Sequence, residues 1–214
     1  MKGNRLFLAA EDNKTVEIFD LQTGKRLHSV SGFDAPHAIV YFPENNTLLV
    51  PDSGCEDGLE GYIRVVSLES NKITNSIKVL AAADSAGYDP DTHLMFTDTG
   101  GLEAKMNYTV IAVIDVRQAK KVNEIKVDSG RVEAIQFEPS GSKMFANLRT
   151  KAQVGVFDKK DYKLLTTWPV PDAAENVPMA LDEGNHRLFV VTRSRESFSF
   201  LTPSRERSWQ LCQR

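Results

Sequence analysis

Cysteine is all but missing from this chain. Cys55 and Cys212 are its only two, far apart, with no C-x-x-C pair and no metal-ligand spacing, so neither a disulfide framework nor a zinc site follows from them. An excess of one charge is missing as well. The 26 Lys and Arg against 29 Asp and Glu leave a formal net charge of -3, and without a basic stripe there is no electrostatic reason to expect nucleic acid. No apolar run approaches the ~18 residues of a membrane-spanning helix. The leading MKGNRLFLAA has an apolar patch of about five residues, short of the roughly 7–15 of a signal-peptide core, and reads as structure. Helical periodicity is not sustained beyond about ten residues, which points away from helical folds. There is no H-E-x-x-H, no G-x-S-x-G and no phosphate-cradling glycine loop, so no catalytic residue is assigned.

What is present is a repeat. The segments RLFLAA, TLLVPD, HLMFTD, KMFANL and RLFVVT place Leu6, Leu48, Leu94, Met144 and Leu188 at intervals of 42, 46, 50 and 44. After each of the first four comes a second apolar run, VEIFDL, IRVVSL, VIAVIDV and VGVFDKK, ending on Asp20, Ser67, Asp115 and Asp158. Each of those positions is followed five residues later by a lysine: Lys25, Lys72, Lys120 and Lys163. In DLQTGK the polar residues and Gly24 suit a tight turn with one left-handed residue, and Asn71 can serve in SLESNK. Ala119 and Tyr162 hold that place in the third and fourth copies, which predicts turns of another type or length there. A third strand follows each turn, and a short run precedes each TLLV-type strand after the first: HAIVYFP, DSAGYDP, EAIQFEP and PMALDEG. Four short strands per unit, rich in Val, Ile and Phe, predict an all-β fold of four-stranded antiparallel blades, a β-propeller. The units run roughly 1–34, 35–82, 83–130, 131–173 and, in part, 174–193. A β-sandwich with accidental spacing is the competing reading; a sandwich does not repeat one turn signature in register.

The hairpin (L/V)-x-V-x-D-x-x-T-G-K with its preceding R-L-F-V strand resembles the YVTN-type β-propeller repeat proteins, including the YncE-like group. VEIFDLQTGKRLHSV is the strongest match; VIAVIDVRQAKKVNEI and VGVFDKKDYKLLTTW are weaker copies. The resemblance implies a ring of about seven blades, often exported by bacteria, with binding or surface roles. It therefore implies a periplasmic or secreted protein, although no signal peptide is read in this chain. With about four and a half repeats present, an incomplete ring is expected, able to self-associate through open blade edges.

From Ser194 the pattern collapses into SRESFSFLTPSRERSWQLCQR, and residues 194–214 are expected to form an irregular tail. One permissible back-translation of Arg195 to Arg214, read two bases on, gives RKFFVSNSESGKVVATLPT, which contains a strand and an S-E-S-G-K turn. A shifted reading frame would account for the tail, and sequencing the gene through codon 194 tests it.

Two sets of residues are candidates for binding. His37, Asp84, Glu133 and Val177 share one position on the innermost strands, where a propeller's channel-lining groups either converge on a ligand or simply face water. Asp52, Asp98 and Asn147, with Thr192, follow the second strand; their oxygens would suit a hard cation such as calcium, or ordinary strand-end turns. The loops SGCEDGLEG and TGGLEAKMN are the longest connections and should emerge on one face. His93 and His186 read as exposed turn residues. The expected function is a non-enzymatic scaffold for a protein or small-molecule ligand, with no cofactor. The alternative is a propeller hydrolase similar to metal-dependent lactonases, in which Asp98, Glu133 and Asn147 would converge on a divalent cation.

Overall fold

The computed structural model describes residues 3–54, 60–170, 175–193, 198–203 and 209–213. Those residues form an all-β chain of five antiparallel sheets, each a simple meander in chain order. The first sheet has three strands: β1 (Arg5–Ala10), β2 (Thr15–Asp20) and β3 (Arg26–Ser31). The second is β4 (Val40–Phe42), β5 (Thr47–Asp52), β6 (Glu60–Ser67) and β7 (Lys72–Leu80), and the third is β8 (Ala86–Asp89), β9 (Leu94–Gly100), β10 (Thr109–Asp115) and β11 (Lys120–Val127). The fourth holds β12 (Val132–Phe137), β13 (Lys143–Leu148), β14 (Gln153–Asp158) and β15 (Leu164–Pro169). The fifth holds β16 (Asn176–Asp182), β17 (Arg187–Thr192), β18 (Phe198–Pro203) and β19 (Trp209–Gln213). β18 and β19 lie in the span expected to be irregular. The free edge of β17 accounts for them: its ladder pairs Phe189 with Phe200, and β19 then pairs along β18.

Face-to-face packing explains why β5, β9, β10 and β13 are buried on both faces almost without a break. A sheet buried on both faces gains nothing from alternation. In β5, Leu48 and Val50 pack toward Val16 and Ile18 of the first sheet, while Leu49 packs with Met95 and Ile114 of the third. Phe96, Ile111 and Val113 then meet Ile135, Met144 and Ala146 of the fourth sheet, and Phe145 and Val156 meet Leu188 and Val190 of the fifth. The short strands β4, β8, β12 and β16 form the inner edge, with β12 between β8 and β16. The strands farthest from it, such as β7 and β11, are largely exposed and rich in charge.

The hairpin signature folds the same way in every copy. Asp20, Asp115 and Asp158 each accept two backbone N–H groups from the turn through Oδ1, at 2.7–3.2 Å, and Ser67 Oγ does so at 3.3 and 3.4 Å. The expectation of different turns in the third and fourth copies is overturned. Ala119 (φ 49°) and Tyr162 (φ 60°) take the left-handed conformation of Gly24 (φ 68°) and Asn71 (φ 53°). Tyr162 N–H donates to Asp158 O at 2.9 Å just as Gly24 N–H donates to Asp20 O at 2.8 Å. The aspartate clamp and the contact of the Tyr162 ring with Phe96, 5.2 Å between centroids, offset the roughly 1–2 kcal/mol that a Cβ costs in this region.

The third repeat also sits one residue out of the register that its apolar pattern suggests. Leu94, not His93, pairs with Asp115, as Thr47 pairs with Ser67 and Lys143 with Asp158. His93 is instead the left-handed residue before the strand (φ 57°), matching Asn46 (φ 52°) and His186 (φ 52°). It is half-buried rather than exposed, edge-on to Phe42 and 3.3 Å from Tyr88 Oη.

Candidate functional site

The inner strands are interrupted at one recurring place. β12 shifts register between Val132 and Ile135, which brackets Glu133; β16 shifts between Asn176 and Met179, which brackets Val177. In the second and third sheets the same level is held by single backbone bonds, His37 N–H to Pro51 O at 3.1 Å and Asp84 N–H to Asp98 O at 3.4 Å. A bulge re-aims the side chain it carries. His37, Asp84 and Glu133 therefore stand at one level along neighbouring inner strands. His37 Nδ1 lies 3.4 Å from Asp84 Oδ1 and 3.9 Å from Glu11 Oε2, so one imidazole faces carboxylates of the first and third sheets. Glu133 Oε1 accepts from Arg149 Nη1 at 2.8 Å, and Arg149 Nη2 reaches Glu175 at 3.1 Å. His37, Asp84, Ser85 and Gln136 border an open cleft of about 340 Å³, with Ala38, Ala86 and Ala134 as its apolar lining.

The second candidate set is not one layer. The corrected register aligns Asp98 with Asn147 and with Pro51, while Asp52 aligns with Thr99, Leu148 and Thr192. A shift of one residue sends a side chain to the opposite face of its sheet. Asp52 is fully buried: Oδ1 accepts from the N–H groups of Asp34 and Ala35 at 2.9 and 2.7 Å, and Oδ2 accepts from Arg64 Nε at 2.7 Å. It ties the approach to the inner strand onto β5. Asn147 is also fully buried and reaches the fifth sheet. Its Nδ2 donates to Val177 O and its Oδ1 accepts from Asn176 Nδ2, both at 2.9 Å.

Asp98, at Asn147's level one sheet earlier, is treated differently. It is 7% exposed, and its Oδ1 accepts from Ser85 N–H at 2.8 Å. Burial, and then the neighbouring Asp84 carboxylate, push the Asp98 carboxyl well above the ordinary aspartate range. Glu133 is also pushed up, by burial against the opposing pull of its bond to Arg149. Asp84, Asp98 and Glu133 border a recess of about 20 Å³ whose wall includes Gly101 and Gly130. The two backbones close on each other there: a Cβ on Gly101 would lie 2.6 Å from Gly130 O.

Arg149, Glu11 and Arg64 escape the sequence reading because they lie off the aligned positions; Glu11 and Arg149 are charges just past a strand end, and Arg64 is a lone charge inside β6. Of the acidic loop, Cys55–Leu59 lie outside the described residues, and Glu60 pairs with Lys78. The loop 99–107 carries a short 3-10 turn, Leu102–Ala104, beside the recess. Among the described residues, no three His, Cys, Asp or Glu side chains are placed to hold a metal ion, and no helix is long and apolar enough to cross a membrane.

No protein-family model and no curated protein matches the sequence. Solved structures do. A chain of Kuenenia stuttgartiensis hydrazine synthase, a β-propeller-containing protein, superposes with a TM-score of 0.77 at 16% identity, over 94% of this chain and 62% of that one. The present chain thus spans less than two thirds of that neighbour. At that identity the likeness is one of fold, and it identifies the five sheets as a propeller-like all-β architecture.

Proposed function

We propose that this chain is a non-enzymatic binding module of the YVTN type, part of a larger ring of blades, and that it holds its ligand at the inner-strand rim. The observation that carries this reading is the shared level of His37, Asp84 and Glu133, where three sheets present ionisable groups at one edge and His37 and Asp84 border an open cleft. His37 and Asp84 lie in the connections that lead into β4 and β8, and Glu133 in β12, so a rigid sheet scaffold positions all three. A lactonase-like reading finds little support in the same side chains. Asn147 spends its amide on Val177 and Asn176, and Glu133 is held by Arg149. The test is turnover of glucono-δ-lactone by the purified chain, with and without millimolar calcium. The scaffold reading expects no hydrolysis above the buffer rate. Calcium-dependent turnover lost in Glu133→Gln would overturn it.

A further inference from the structure

We infer that the open inner edge of β1 is a docking site for an extended segment of a second polypeptide, which adds to the first sheet as an inner strand. The other four sheets show what such a strand does. In each of them a short inner strand, β4, β8, β12 or β16, pairs antiparallel with the strand equivalent to β1. Among the described residues the first sheet has no inner strand, so β1 keeps one edge of backbone N–H and C=O groups outside any ladder. Phe7 isolates the effect. Its ladder position matches Leu49, Phe96 and Phe145, which face the following sheet and are 0%, 0% and 2% exposed. Phe7 also faces a following sheet, where it stacks on Tyr41 at 6.0 Å between centroids, yet Phe7, Ile39 and Tyr41 all stay half-buried. The three matching residues have an inner-strand residue directly opposite, Val40, Gly87 and Gln136 respectively; Phe7 has none among the described residues.

The same ladders specify the partner's chemistry. Opposite the residue equivalent to Leu6 stands Tyr41, Tyr88, Phe137 or Leu181. Two residues earlier stands an apolar Ile39, Ala86, Ile135 or Met179, and in three copies Pro43, Pro90 or Pro139 follows two residues later. The residue between the apolar pair varies, as Val40, Gly87, Gln136 and Ala180. The edge therefore takes an antiparallel strand with an aliphatic residue opposite Leu8 and an aromatic residue or leucine opposite Leu6, its run ended by proline. Main-chain bonds supply the affinity of such an addition and alternate side chains its selectivity. Every described inner strand of this chain is already paired within its own sheet, so the segment comes from a different polypeptide. The inference does not depend on which ligand the His37 level holds.

The probe is a blocked peptide with an inner-strand sequence of this chain, RVEAIQFEP (residues 131–139), titrated into the dilute full chain and followed by calorimetry and by hydrogen exchange of β1. The control peptide carries serine in place of its isoleucine and phenylalanine. Expected is saturable binding of the first peptide, none of the control, and slowed exchange at alternate residues of β1, whose N–H groups face the open edge. The double change Leu6→Glu, Leu8→Lys should weaken binding about fivefold or more. Val122→Ser, which removes a 50% exposed apolar side chain from β11, should leave it unchanged. Equal binding of the two peptides, undiminished binding by the double variant, protection in β13 or β17 in place of β1, or no binding of RVEAIQFEP overturns the inference. None of these results bears on the lactone test of the rim.

Discussion

Asp98 and Asn147 occupy one level of two successive sheets, and the comparison between them separates what the fold requires from what it tolerates. Asn147 satisfies its amide within the chain; Asp98 keeps a buried acid beside Asp84 and Glu133. The sign of its effect on stability follows from its raised carboxyl. The folded state holds that proton more tightly than the unfolded chain, so the Asp98 contribution is most favourable at low pH. It is lost as pH rises from the ordinary aspartate range through the elevated folded value. Above that value the ionised acid is a constant penalty. Asp98→Asn removes the titration and restores a donor, so it should raise stability at pH 8 by roughly 1–3 kcal/mol and by much less at pH 4. Urea denaturation at the two pH values checks this; an equal change at both, or a loss at pH 8, would contradict the assignment.

The elements most sensitive to change are the inner strands, because they meet backbone to backbone. Gly87 in β8 lies against β12: a Cβ there would come within 2.8 Å of Ile135 O and 2.9 Å of Ile135 Cγ2. Neither a carbonyl nor a β-branched side chain buried to 1% exposure can yield easily. Gly87→Ala should therefore cost about 1–3 kcal/mol. Gly24→Ala, with nothing within 4 Å of its Cβ, meets only the strain of its positive φ. Hydrogen exchange in β8 and β12 distinguishes the two, rising for the Gly87 variant and unchanged for the other. Legibility in the sequence divides along similar lines. The strands, the hairpin and its Asp clamp are readable because apolar period and turn chemistry are local. The register of the third repeat is not, since HLMF offers apolar residues on both faces and only the pairing of Leu94 with Asp115 decides. The αL turns at Ala119 and Tyr162 are hidden for the same reason: side-chain clamps and ring packing across sheets override a local glycine rule. Of the candidate site, the level of His37, Asp84 and Glu133 is legible from spacing. Arg149 and the recess are products of tertiary approach.

On the scale of the molecule, the chain stacks sheet on sheet, and each of the four interfaces buries one hydrophobic cluster. The first sheet breaks the pattern. Its Val16 and Ile18 are fully buried against the second sheet, yet on its opposite face Leu6 and Leu8 are 41% and 49% exposed, and no described residue covers them. The ladder places Phe19 beside Leu6 on that same face. The inner-strand position beside β1, filled by β4, β8, β12 and β16 in the other sheets, is also empty among the described residues, which leaves a strand edge able to pair. Apolar area removed from water gives about 25 cal/mol per Å², so this face favours association at the concentrations used for structural work. We expect sedimentation velocity to show a concentration-dependent shift to larger species, and the double change Leu6→Glu, Leu8→Lys, which sets a lysine rather than a second acid opposite Glu17, to suppress it. The substituted side chains point away from the core, so the variant should keep the wild-type circular dichroism and its urea midpoint. A wild-type chain that sediments as one species across a hundredfold range of concentration would show that this face and edge do not mediate association. A variant that still associates would move the contact to another surface.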